Sequence, residues 1–287
     1  MISVITLTAG AAANPLAASA FSYDSSAPLG VHVNHRAISE GVLREDINFA
    51  NPSGGTIHGE IVAPVRSGSN PGVLFVHWLG DPKTTNLSEF EPDAISLARR
   101  GVSSLLIDAM WAQPSWFDRV RSTSTEYKDS IAQVVALRRA LDVLTAQPGV
   151  DAKRIAYVGH DFGSMYGAVL SGVDPRPRWY VLMAGTTTFS EWYLLGKKPS
   201  DAAAYVAQMA PLDPLGYLAE SKAEGFLFQF AAHDEYITAQ HALQFFQAAP
   251  LPRAMYVYDT GHALHIAQAT SDRLAWLLLR LTAPLRH

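Results

Sequence analysis

The sequence has 287 residues, of which 48% are hydrophobic and 17% charged, and its formal net charge is -4. A chain of this length can bury a sizeable core, and its slightly acidic balance gives no electrostatic reason to expect nucleic acid or an anionic membrane as a partner. The absence of cysteine excludes disulfides, thiol nucleophiles and Cys-ligated zinc. The ten histidines show no HExxH spacing, and we expect neither a metal nor another cofactor.

Residues 1–37 are predicted to form an N-terminal extension ahead of a main domain over 38–287. The extension begins with an apolar stretch and contains the triplet Ala18-Ser19-Ala20, which is typical of a signal-peptide cleavage site. It has no Lys or Arg before the apolar run, where a signal peptide carries positive charge. We therefore expect a cytoplasmic protein, with export through an atypical signal as the alternative. Later segments fall short of the ~20 apolar residues that span a bilayer.

The main domain begins with a predicted β-hairpin over residues 44–64, around the turn Asn-Pro-Ser-Gly-Gly. Six nearly continuous apolar runs then alternate with amphipathic segments, and such runs are typical of parallel strands covered on both faces. The runs are 72–77, 103–108, 154–159, 179–185, 225–232 and 254–259, and the clearest helical patterns are 129–146 and about 264–282. This alternation predicts a single α/β domain with a mostly parallel, doubly wound sheet.

Residues 186–224 interrupt the alternation because they are longer than an ordinary connection with one helix. We predict a small helical cap over the carboxyl edge of the sheet, where open α/β sheets bind ligands. The alternative is a pair of surface helices that do not contact the site.

A tight strand-to-helix turn is predicted at Gly159-His160-Asp161-Phe162-Gly163. Its spacing is that of the G-x-S-x-G nucleophile elbow, in which small residues allow the backbone to approach itself closely, but the central residue is Asp161. A carboxylate at the start of a helix is stabilised by the helix dipole and free amides. An aspartate there is often only an N-cap, yet a cap does not need the two flanking glycines.

Two further side chains follow later strands in the chain order of a catalytic triad. Asp234 follows the run 225–232, and His262 follows the run 254–259. Nucleophile, acid and histidine in that order, each beyond a strand end, form the triad arrangement of α/β-hydrolases. We predict Asp161, Asp234 and His262 as the catalytic residues, with His233 and Glu235 as rivals of Asp234.

From about residue 40 onward, the chain resembles the α/β-hydrolase superfamily, and in detail its dienelactone-hydrolase-like branch. The matching segments are VLFVHWLGDP, SLLIDAMW, the elbow, HDEYI and GHAL. The resemblance implies an oxyanion hole formed by the backbone amides of Phe162 and of Trp78 or Leu79. Asp161 departs from that branch, which uses Ser or Cys, and GHD-aromatic-G resembles the elbow of epoxide hydrolases and related dehalogenases.

An aspartate nucleophile favours particular substrates. Attack on an ester carbonyl would give an anhydride, whereas attack on a saturated carbon gives a stable alkyl ester of Asp161, which water activated by His262 can hydrolyse. The leading hypothesis is an epoxide hydrolase acting on a small apolar substrate. The alternatives are a haloalkane or haloacid dehalogenase, an esterase or lactonase of dienelactone-hydrolase type, and a non-catalytic ligand-binding relative, including a serine enzyme in which Asp161 is an introduced change.

The predicted substrate-binding side chains are aromatic. Opening an epoxide needs a proton donor, and the resemblance to epoxide hydrolases implies Tyr193 and Tyr205 of the cap, with Tyr127 and Tyr236 as substitutes. Trp111 and Trp192 are predicted to make the pocket apolar, together with Trp78, Trp116 and Phe162.

Overall fold

The computed structural model describes residues 14–66, 68–81 and 85–283. These residues form one nine-stranded sheet in the order β1-β2-β3-β5-β4-β6-β7-β8-β9. The strands are β1 (His32–Ser39), β2 (Val42–Ala50), β3 (Thr56–Pro64), β4 (Asn70–Val76), β5 (Ser103–Ile107), β6 (Val150–His160), β7 (Pro177–Met183), β8 (Gly225–Ala231) and β9 (Arg253–Tyr258).

Eight α-helices cover the sheet within the described part of the chain. They are α1 (Leu87–Ala98), α2 (Glu126–Thr145), α3 (Phe162–Val173), α4 (Phe189–Tyr193), α5 (Ala202–Met209), α6 (Pro214–Glu220), α7 (Ala239–Ala248) and α8 (Ala267–Leu281). A short π-helical segment, Trp116–Val120, precedes α2. In the described ranges, no helix combines the length and apolar character that a bilayer-spanning segment requires.

The predicted mostly parallel α/β sheet is confirmed. The strands β4 to β9 pair in parallel, and each of the six apolar runs coincides with one of them. The central strands are buried on both faces, as in Val73 to Val76 of β4, which explains why they read as continuous apolar runs rather than alternating ones.

The β-hairpin predicted at 44–64 corresponds to β2 and β3, which pair antiparallel from Val42 with Pro64 to Ala50 with Thr56. The strand β1 has no counterpart in the prediction and crosses the boundary placed between residues 37 and 38. All of its residues are exposed, so it lacks the apolar alternation by which a half-buried strand is recognised.

The N-terminal extension also packs on the domain. Phe21 is fully buried, and its ring contacts that of Tyr217 on α6 at 6.0 Å between centroids. Of the leader-like segment, residues 1–13 lie outside the described residues, whereas Ala18–Phe21 form a 3-10 helix.

The segment predicted as a cap contains α4, α5 and α6. A buried ion pair holds it in place, because Arg121 pairs with Glu126 at the start of α2 and donates to the carbonyl of Tyr193 at 2.7 Å. The hydroxyl of Tyr205 donates to the same Glu126 carboxylate. These contacts attach α4 and α5 to α2 beside the carboxyl edge of the sheet.

Candidate active site

The turn after β6 places Asp161 in a backbone conformation that non-glycine residues rarely adopt, with φ 56° and ψ -118°. Its amide donates to the carbonyl of Met183 at 2.9 Å. A Cβ on Gly163 would lie 2.3 Å from the carbonyl oxygen of Val76, and one on Gly159 would lie 2.3 Å from the Gly163 carbonyl oxygen. The two glycines are therefore required by close backbone approach.

Asp161, His262 and Asp234 meet at the carboxyl edge of the sheet. The Nδ1 atom of His262 lies 3.0 and 2.9 Å from the two carboxylate oxygens of Asp234. Its Nε2 atom lies 3.8 Å from Asp161 Oδ1. Asp234 Oδ1 also accepts from the amides of Tyr236 at 2.9 Å and Ile237 at 3.0 Å. This arrangement fixes the imidazole with Nδ1 towards Asp234 and Nε2 towards Asp161.

The charges of the two carboxylates determine the protonation of His262. Burial by itself lowers its pKa, but the hydrogen bonds and charges of Asp161 and Asp234 outweigh burial and raise the pKa to about 10. Burial raises the pKa of Asp234, yet the hydrogen bond and charge of His262 together with the two amides bring it below its ordinary value. With this pKa, His262 is an imidazolium at neutral pH.

The backbone amide of Leu79 points at the carboxylate of the elbow residue. It donates to Asp161 Oδ2 at 2.9 Å, whereas the amide of Trp78 donates to Glu89 Oε2 at 2.8 Å. Of the two alternatives implied by the resemblance, Leu79 has the amide directed at Asp161. Phe162 is the first residue of α3 and is buried beside the turn.

A cavity of about 230 Å³ opens above these groups. Asp161 and His262 are its ionisable triad members, and Leu195 and Tyr236, at 61% and 54% exposed, are its most exposed lining residues. The lining residues are Trp78, Leu79, Phe117, Asp161, Phe162, Trp192, Leu195, Tyr236 and His262. Lys and Arg are not among these lining residues.

Of the aromatic side chains predicted for the pocket, Trp78, Phe162, Trp192 and Tyr236 line this cavity, whereas five are not among its lining residues: Tyr193, Tyr205, Tyr127, Trp111 and Trp116. The hydroxyl of Tyr193 lies 2.7 Å from that of Tyr166 in the core, and Tyr205 is bound to Glu126. Trp111 donates from Nε1 to the carbonyl of His77 at 3.2 Å, and Tyr127 packs against the hydrophobic core. The hydroxyls of Tyr193 and Tyr205 therefore contact residues of α2 and α3 and not the cavity.

The sequence analysis underestimated Tyr236 and missed Phe117 and Leu195. The ring of Tyr236 contacts that of His262 edge-on at 5.0 Å between centroids. Its position two residues after Asp234 was the available signal, because a residue that close to the acid must lie near the triad. Phe117 lies in the short π-helical segment and Leu195 follows the end of α4, and neither belongs to a recognisable motif. Among the described residues, no group of three or more His, Asp and Glu side chains is placed to hold a metal ion.

Comparison with solved structures shows the fold. An acetyl xylan esterase from a Paenibacillus species has a TM-score of 0.73 and 18% identity, covering 92% of both chains. Acetyl xylan esterase 1 from a Thermoanaerobacterium species has a TM-score of 0.75 and 14% identity, covering 95% of this chain and 96% of that one. A protein described as a dienelactone hydrolase from Klebsiella pneumoniae has a TM-score of 0.62 and 16% identity, covering 85% of this chain and 99% of that one.

No protein-family model matches the sequence, and no curated protein matches it. The architecture, the turn after β6 and these structural similarities agree. The chain therefore has the α/β-hydrolase fold.

Proposed function

We propose that this protein is a hydrolase in which Asp161 forms an alkyl ester with a saturated carbon of a small, uncharged, apolar substrate, and that an epoxide is the preferred electrophile. The observation that carries the proposal is the hydrogen bond from the Leu79 amide to Asp161 Oδ2. In a serine-type hydrolase, an amide at this place stabilises the carbonyl oxygen of the substrate. Here the same donor is occupied by an oxygen of the enzyme.

That hydrogen bond suits the hydrolysis of an ester on Asp161. If Oδ1, which faces His262, bonds to the substrate carbon, Oδ2 becomes the carbonyl oxygen of the new ester. Water that attacks the carboxyl carbon then places negative charge on Oδ2, and the Leu79 amide is already directed at it. Such a pre-positioned donor stabilises the transition state without reorganisation.

The protons balance across the two half-reactions. In the first, Asp161 Oδ1 attacks carbon, the carbon–oxygen bond of the epoxide breaks, and the released oxygen takes a proton from a donor in the cavity. Esterification removes the negative charge of Asp161, so one cause of the raised pKa of His262 is lost, and the imidazolium gives its extra proton back to that donor. In the second, neutral His262 takes a proton from water and passes it to the alkoxide that leaves Asp161. The carboxylic acid formed on Asp161 then transfers its proton to His262, which restores the starting state.

Tyr236 is the tyrosine that lines the cavity, and we propose it as the proton donor to the epoxide oxygen. A halide leaves without taking up a proton, so loss of the Tyr236 hydroxyl should affect an epoxide and a haloalkane differently. Tyr236→Phe should slow alkylation of Asp161 by an epoxide about 100-fold and leave alkylation by a haloalkane within about twofold. Rapid-quench measurement of both alkylation rates tests this. An unchanged rate with the epoxide, or equal losses with both substrates, would contradict the assignment.

Two other functions have one supporting observation each. The structurally similar proteins are named as esterases and as a dienelactone hydrolase, which favours ester hydrolysis with His262 activating water directly. The indole Nε1 atoms of Trp78 and Trp192, both lining residues, are buried without a hydrogen-bond partner in the described residues. Unsatisfied donors of this kind favour a halide if the side chains reorient.

Single turnover in ¹⁸O water tests the proposal against both the ester alternative and a purely binding role. With excess enzyme and an epoxide, ¹⁸O should appear in the peptide that contains Asp161, because water attacks the carboxyl carbon. Asp213 is a matched control, since it is a partly buried carboxylate outside the cavity-lining set and should stay unlabelled. The same experiment is then run with an ester. Label found only in the acid released from the ester would instead support direct hydrolysis, and no turnover of either substrate would support a binding role.

A further inference from the structure

A buried His160–Glu89 pair lies directly behind the triad. The Nδ1 atom of His160 lies 2.6 Å from Glu89 Oε1, and both side chains are almost completely buried. The Nε2 atom of His160 lies 3.1 Å from the backbone carbonyl oxygen of His262. The reaction proposed above uses neither His160 nor Glu89, although His160 contacts the backbone of His262 and Glu89 contacts the amide of Trp78.

The hydrogen bonds fix the orientation of the His160 ring. A backbone carbonyl oxygen can only accept, so Nε2 of His160 donates to His262. Nδ1 of the same ring forms its hydrogen bond with Glu89 Oε1. The indole of Trp78 stacks on the ring with 5.4 Å between centroids and 10° between planes, so the plane of the ring is held as well.

The pair connects three segments that carry the reacting groups. His160 directly precedes Asp161, and its Nε2 holds the backbone of His262. The second oxygen of Glu89 accepts from the amide of Trp78, which directly precedes Leu79. Glu89 itself is on α1, an element that contributes no reacting group. One carboxylate therefore links the elbow, the histidine loop and the loop whose amide binds Asp161.

We propose that Glu89 and His160 are positioning residues that set the distances among Asp161, His262 and the Leu79 amide. The kinetic part of this inference rests on the proposed function. Hydrolysis of the covalent ester needs all three groups at once, and catalytic groups must be held within about 0.5 Å of their productive positions. Loss of the pair should therefore slow ester hydrolysis more than ester formation.

Three variants separate positioning from charge and from general destabilisation. Glu89→Ala removes the carboxylate and leaves the Trp78 amide unpaired. Glu89→Gln can keep both contacts without a carboxylate charge, because its amide oxygen can accept from Trp78 while its NH₂ can donate to Nδ1 of His160. Asp93→Asn is the matched control, since Asp93 is also buried on α1 and pairs with Arg273 of α8, away from the cavity-lining residues.

The first readout is the fraction of covalently modified enzyme in the steady state, measured by intact-protein mass spectrometry with an epoxide. Glu89→Ala should slow release of the ester about 10- to 100-fold, so that the modified fraction rises. Glu89→Gln should recover most of this loss. Asp93→Asn should lower stability without changing the modified fraction, because a loss of stability alone does not alter the balance between ester formation and ester hydrolysis.

The second readout needs no substrate and separates failure of this inference from failure of the proposed function. The proton on His262 Nδ1, hydrogen-bonded to Asp234, should give a low-field ¹H resonance. Glu89→Ala should shift or broaden it, whereas Glu89→Gln and Asp93→Asn should leave it in place. An unshifted resonance in Glu89→Ala, or an equal effect of Glu89→Gln, would overturn the inference even if the wild-type protein forms the covalent ester.

Discussion

Asp161→Asn is expected to lower turnover of an epoxide at least about 1,000-fold, because an uncharged amide does not displace oxygen from saturated carbon. The amide side chain has nearly the same shape, so the Leu79 amide can still donate to its oxygen and the fold should be kept. Steady-state rates of the purified variant, with residual wild-type protein excluded by mass spectrometry, measure the effect. Turnover within about tenfold of the wild-type rate would exclude Asp161 as the nucleophile.

The same variant has a consequence for stability that serves as its folding control. His262 has a pKa of about 10 in the native protein, compared with an ordinary value of 6.5, so its pairing stabilises the native state fully below pH 6.5. That stabilisation is lost as pH rises through 10. Because Asp161→Asn removes one of the two carboxylates that raise this pKa, the free energy of unfolding should fall less steeply over this range than in the wild type.

His262→Ala is expected to stop the reaction at the covalent ester. The first step needs only the Asp161 carboxylate and a proton donor, whereas the second needs a base to activate water, and loss of that base costs at least about 100-fold. The intact protein should therefore gain the mass of one substrate molecule and retain it. Panels of epoxides, haloalkanes and esters would show which class modifies the enzyme, because only electrophiles that reach Asp161 add mass.

The control for this trap is the double variant Asp161→Asn with His262→Ala, which should gain no mass from any compound. His262→Gln provides a second test in which the cavity left by the imidazole is partly filled. Modification of the double variant would place the covalent bond elsewhere. Rapid release of product by both His262 variants would show that His262 is not the base, and the second half-reaction would need another group.

The elements that the sequence predicted well are those with a local signature. Apolar runs such as Val73 to Val76 predicted the parallel strands because burial on both faces leaves no polar position. The turn around Asp161 was predictable because Gly159 and Gly163 satisfy a steric requirement of the backbone. In contrast, β1 is exposed along its length and was not recognised.

The orientation of the side chains in the cap could not be predicted from the sequence. Tyr193 and Tyr205 were expected at the pocket because of the resemblance to epoxide hydrolases. In the structure, the side chain of Tyr193 contacts Arg121 and Tyr166, and that of Tyr205 contacts Glu126. A helix of five residues such as α4 presents different faces within a few residues. Which face meets the cavity depends on how the helix packs, and packing partners distant in sequence decide that.

The sequence by itself determined the strand-helix alternation, the position of the elbow and the chain order of Asp161, Asp234 and His262. These depend on hydrophobic period and on steric limits within a few residues. Only the tertiary structure decided that the Leu79 amide binds Asp161 Oδ2, that Tyr236 lines the cavity and that Glu89 of α1 contacts both His160 and the Trp78 amide. Those contacts join segments far apart in the chain, and their distances are fixed by the packing of the whole sheet.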